Sequence, residues 1–275
     1  MPCEVAKRGL GCLRHPLGPS DCGMPARGRV AYDAVMRRHA PFETTPAAKA
    51  FDRLRRLALS PLCIAVLTAA CVSLRLWRHY AGIGPHYAFV GTNLLLAWIP
   101  LLLAYGLSWS ARVKSRWTAL PPLAALWILF LPNAPYLVTD LVHLKDGVNA
   151  VNVILLSLLA LIGVLIGVKS VLLVQRAVER LFGVTAGRRA VQVIAVLTAV
   201  GVYLGRVLRW NSWTVIHDPG IIAHAVLRST SEPARAGLAL LATVLFSIGF
   251  LCAYRALAGP PEAGLARPVR SGTTS

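Results

Sequence analysis

Charged residues are scarce in this chain, and acidic ones scarcer still. Asp, Glu, Lys and Arg make up 15% of the 275 residues, and only 11 residues are Asp or Glu. A soluble domain of this size carries roughly a quarter charged residues, which excludes a water-exposed globule. Cysteine pairs at zinc-ligand spacing are missing: Cys3, Cys12, Cys22, Cys63, Cys71 and Cys252 include no CxxC, so the common structural zinc sites are excluded. None of the six falls in a segment expected outside the cell, and no disulfide framework is expected. No apolar core lies near residue 1, so no secretory signal is expected there. Short strands of alternating apolar and polar residues are missing too, which excludes a membrane β-barrel.

What is present is apolar residue in bulk. The chain is 56% hydrophobic, and those residues come in blocks of about 20, the length that crosses a hydrocarbon core. The expected fold is all-α: a polytopic membrane bundle of six helices. Spans are expected over 57–77, 87–108, 118–141, 148–169, 190–208 and 236–255. Residues 1–56 read as a disordered basic tail, 57–257 as the six-span membrane domain and 258–275 as a second disordered tail. Within the first tail, 47–57 has the pattern of a basic amphipathic turn or two suited to a membrane surface.

Net charge is +18, a value also found in nucleic-acid-binding proteins. The distribution argues for a membrane instead. Of the 29 Lys and Arg, 11 lie before residue 57 and most others flank apolar blocks. With the N-terminus inside, inner segments hold 22 basic residues and outer segments hold seven, so the positive-inside rule places both termini in the cytoplasm. Anionic lipid headgroups are the expected partner of these cations; nucleic acid is not, since no binding module is present.

The third span carries L-P-N-A-P-Y-L-V-T-D-L-V-H at 131–143. Pro132 and Pro135 interrupt the helix toward its outer end, and Asp140 and His143 come after them on one face. Asp140 is the only acidic residue expected within or close to a span. Freed backbone groups and a carboxyl at that depth need partners, so this segment is the best candidate site.

The stretches L-P-N-A-P-Y-L-V-T-D-L-V-H-L at 131–144 and G-V-Y-L-G-R-V-L-R-W-N-S-W at 201–213 resemble the two signatures of the DUF1361 family, with N-L-L-L-A-W-I-P at 93–100 as a weaker third. These are bacterial multi-pass membrane proteins of unknown function. The resemblance covers about 58–257 and implies a multi-helix fold in the bacterial cytoplasmic (inner) membrane, with no activity attached. One position departs from the family pattern: Thr214 stands where an acidic residue is common.

Three kinds of chemistry are open. Asp140 with Arg206 and Arg209 forms either a structural ion pair or a site with one arginine free for phosphate or carboxylate. Asn133, Tyr136, His143, Asn211 and Ser212 complete that candidate ligand-binding set. Asp140 and His143 are candidates for acid–base work, although no nucleophile is indicated. The outer histidines His79, His86, His143, His217 and His224 are spaced too loosely to define a metal site, and no metal or cofactor is expected. Asn93 should form an interhelical hydrogen bond. Gly163 and Gly167 form a G-x-x-x-G that a homodimer could use. The leading expectation is a binding or transport protein with an outward-facing site for an anionic or lipid-headgroup ligand. The alternatives are a membrane enzyme acting on a lipid-linked or periplasmic substrate, and an accessory subunit without ligand.

Overall fold

The computed structural model describes residues 46–82, 87–113, 118–146, 149–207 and 233–259, and these contain helices and no strand. Helix α1 spans Pro46–Ala58. Phe51, Leu54 and Leu57 are exposed along it, and at helical spacing the centre of that stripe stands opposite Lys49 and Arg56, with Arg53 at its flank. The amphipathic segment is therefore a continuous helix of 13 residues.

Among the described residues six elements are long and apolar enough to cross a membrane: Pro61–Tyr80, Phe89–Ser110, Leu120–Lys145, Ala150–Phe182, Val184–Gly205 and Ala239–Ala258. The first is α2 (Pro61–Tyr80), whose start obeys local rules. Ser60 Oγ accepts from the Cys63 N–H at 3.1 Å, and Pro61 occupies the first turn, where a missing N–H is harmless. The second is α3 (Phe89–Ser110).

The third span is assembled from α4 (Leu120–Phe130), α5 (Asn133–Tyr136) and a 3-10 helix over Leu137–Asp146. The prolines break it where expected. The Leu131 carbonyl, which loses its α-helical donor to Pro135, accepts from the Ala134 N–H at 3.2 Å. The Phe130 carbonyl accepts from the Asn133 side-chain amide at 3.0 Å. Beyond the break the chain tightens instead of resuming an α-helix. Thr139 Oγ1 donates to the Tyr136 carbonyl, three residues back, at 2.6 Å, a bond suited to the 3-10 repeat.

The fourth span, α6 (Ala150–Phe182), is the longest of the described helices, at 33 residues. At 1.5 Å per residue it is about 50 Å long, well beyond a hydrocarbon core of about 30 Å. The connection expected over 170–189 is thus mostly helix. Val171, Val174 and Ala177 remain buried and keep one face apolar while Arg176 and Arg180 occupy others. The helix stops at Gly183, whose φ of 88° only glycine adopts easily, and α7 (Val184–Val207) begins at the next residue. The last helix is α8 (Pro233–Ala258).

Helix α6 is the hub. It packs against α2, α3, α5, the 3-10 helix, α7 and α8. Two glycines make room for the break. A Cβ on Gly163 would collide with the Ala134 carbonyl oxygen and come within 2.8 Å of Leu137 Cβ. A Cβ on Gly201, in α7, would collide with Pro132. Gly167 faces Phe250 and Pro135. The G-x-x-x-G of α6 is therefore filled from within the chain, by the broken third span and α8. Small residues admit close approach, and here the approaching elements belong to the same molecule.

Polar side chains tie the helices at two depths. Trp127 Nε1 donates to Ser170 Oγ at 2.7 Å, and Ser170 donates to the Pro100 carbonyl at 3.0 Å, so one hydroxyl links α4, α6 and α3. Tyr254 OH donates to Gln175 Oε1, whose amide donates to Glu179 Oε1 at 2.7 Å, joining α8 to α6.

Two substitutions test this packing. Gly163→Ala should lower stability by about 1–3 kcal/mol, the cost of overpacking a filled interior. Gly249→Ala, where an added Cβ meets nothing within 4 Å, should be neutral or mildly stabilising. Thermal unfolding in detergent reads both. By the same measurement Ser170→Ala should cost about 1–3 kcal/mol, because it strands the buried Trp127 N–H. Trp127→Phe in that background should recover part of the loss.

Candidate functional site

The end of the third span is where polar side chains gather. Asp140 is 1% exposed. Its Oδ2 accepts from Asn93 Nδ2 at 3.0 Å, so a neutral amide one turn into α3 meets a carboxyl from the 3-10 helix. This is the interhelical bond expected of Asn93, and its partner is the candidate acid itself.

His143 lies three residues beyond Asp140. In a 3-10 helix that spacing eclipses the two positions, so both lie on one edge. The His143 ring packs on Phe89, with centroids 4.6 Å apart, and sits 6.3 Å from the Tyr87 ring. Tyr87 OH donates to the His143 carbonyl at 3.3 Å.

Tyr87 also connects this edge to α2. Arg75 Nε donates to the Tyr87 carbonyl at 3.2 Å. The Arg78 guanidinium lies over the Tyr87 ring, 4.4 Å from its centroid. Arg78 is only 3% exposed. The last turn of α2, the start of α3 and the 3-10 helix thus form one polar cluster around Arg78, Tyr87, Asn93, Asp140 and His143.

Of the other sequence candidates, Asn133 and Tyr136 lie at the break itself. The Asn133 amide caps the break, and the Tyr136 carbonyl takes the Thr139 hydroxyl; these contacts serve the backbone of the third span. Arg206 belongs to the last turn of α7, but its side chain lies outside the described residues, as do Arg209, Asn211 and Ser212 entirely. The apolar turn at 221–227 lies outside them too. Among the described residues no three His, Cys, Asp or Glu side chains come together as a metal-ligand set.

Sequence reasoning missed Arg78 and Tyr87. An arginine ending an apolar helix ordinarily snorkels to the interface, and nothing local separates that use from burial. The signal that could have found it is Tyr87, an aromatic placed at the start of the next span.

Residues 92–251 match the family described as "Protein of unknown function (DUF1361)". The chain belongs to the DUF1361 family. No curated protein and no solved structure matches it. The region shared with DUF1361 proteins contains Asn93, Asp140, His143, Gly163 and Gly201. Arg78 and Tyr87 stand just before it. The two DUF1361-like motifs meet physically, since Gly201 of the second packs on Pro132 of the first.

Replacing Asn93 with Leu removes the amide that serves a buried carboxyl. It should cost about 1–3 kcal/mol in detergent unfolding. Tyr87→Phe, which loses only the bond to the His143 carbonyl, should cost about 0.5–1.5 kcal/mol.

Proposed function

We propose that this multi-pass membrane protein binds or transports an anionic group or lipid headgroup through an outward-facing polar site at the end of its broken third span. The contact between Gly201 and Pro132 carries this reading. Consecutive spans alternate in direction, so the third and fifth run the same way. Beyond that contact Asp140 and Arg206 are carried toward the same end of the bundle. Asp140, held by Asn93, then fixes the polar floor, and the arginines of the second motif supply donors suited to an oxyanion. A discontinuous span with convergent polar groups is how many transporters build a site.

The excess of Lys and Arg in the inner segments supports an orientation with both termini in the cytoplasm of a bacterial inner membrane. In that orientation α1 lies along the inner surface. Its apolar face meets acyl chains and Lys49, Arg53 and Arg56 meet anionic headgroups.

Two measurements test the proposal. In a cysteine-free variant, Lys145→Cys should react with a membrane-impermeant maleimide on intact cells; labelling only after permeabilisation would reverse the orientation. Phosphatidylglycerol should raise the unfolding temperature of the purified protein above the effect of diacylglycerol, which has the same chains and no phosphate. Equal effects of the two lipids would remove the anionic site.

A further inference from the structure

A buried guanidinium without an anion is costly. Burying an ion is costly even after relaxation, and a desolvated cation–π contact returns only part of that cost. Arg78 is in this position. Its side chain is 3% exposed, and it lies over Tyr87. Its Nε and Nη2 have no hydrogen-bond partner among the described residues. Nor does a described carboxylate reach it, since the one ion pair between described residues is Arg55 with Asp52.

Which two nitrogens are left over is informative. Nε and Nη2 form a single edge of the guanidinium, with their N–H bonds parallel. That edge makes the two-point contact with an oxyanion, each N–H donating to a separate oxygen. The platform beneath it is fixed at both ends. Arg75 Nε holds the Tyr87 carbonyl, and the Tyr87 hydroxyl holds the His143 carbonyl. The arginine is therefore prepared for a ligand that none of the described residues supplies.

We infer that the Nε–Nη2 edge of Arg78 binds the oxygens of a phosphate group, with Tyr87 as the positioning residue beneath it. The last turn of a membrane span lies at the depth of lipid phosphates, so a phosphodiester headgroup and a free phosphate share the chemistry required. This deepens the proposed function and rests on it for the class of ligand. It moves the primary anion contact from the second motif to the end of the first span, outside the region matched to the family.

The test is thermal unfolding of the full chain, purified in phosphate-free detergent, with three separate additions: phosphatidylglycerol, diacylglycerol and inorganic phosphate. Wild type should be stabilised by phosphate-bearing additions through mass action and not by diacylglycerol. A response to phosphatidylglycerol alone identifies a lipid headgroup, and a response to inorganic phosphate as well identifies any accessible phosphate. Arg78→Met should be as stable as wild type or more so without additions, because it removes an unpaired buried charge, and should lose the phosphate response. Arg78→Lys keeps the charge but not the fork, and should bind phosphatidylglycerol about ten-fold or more weakly. It also serves as the decisive variant if Arg78→Met does not fold. If wild type responds and the folded Arg78 variants respond equally, the inference is overturned while the proposed function stands. If wild type responds to no phosphate-bearing addition, both fall.

Discussion

Two missing N–H groups in the third span shape the structure around them. Pro132 and Pro135 cannot donate, and in a hydrocarbon environment the carbonyls they abandon have no water to turn to. The chain answers locally: the Ala134 N–H turns to the Leu131 carbonyl that Pro135 abandons, and the Asn133 amide takes the Phe130 carbonyl that Ala134 thereby leaves. It answers globally by surrounding the break with glycine. Gly163 lets α6 approach Ala134 and Leu137, and Gly201 lets α7 approach Pro132. Glycine is intrinsically poor in helix interiors, so its presence here reflects close approach of another backbone.

The break also sets the geometry of the segment beyond it. Past Pro135 the chain runs as a 3-10 helix, which eclipses Asp140 and His143 along one edge. Asp140 meets Asn93 on α3, and His143 meets Phe89 one turn earlier on the same helix. Tyr87 extends the network to Arg75 and Arg78 on α2. A defect in one span is thereby converted into a polar assembly drawn from three spans at one end of the bundle.

The six spans and the proline break were legible because each depends on local composition or on a single residue type. Asn93 was legible as a hydrogen-bonding residue, since an amide inside an apolar helix must find a partner. Which partner it finds depends on how spans pack, and that is tertiary information. The G-x-x-x-G of α6 shows the same division: its spacing announces close approach without naming what approaches. The length of α6 was hidden because Gln175 to Arg180 lowers the hydropathy of a segment whose other face stays apolar. Arg78 was hidden for a related reason: a cation ending a span has an ordinary use in the headgroup region, and only packing against Tyr87 reveals a different one.

Coupling between Asn93 and Asp140 is the quantity on which the assembly depends, and a double-mutant cycle measures it directly. Unfolding free energies in detergent would be compared for wild type, Asn93→Leu, Asp140→Leu and the double variant. A buried pair in direct hydrogen-bond contact predicts a coupling energy of about 1–3 kcal/mol, with the double variant more stable than the sum of single losses implies. Strict additivity of the two substitutions would contradict the account.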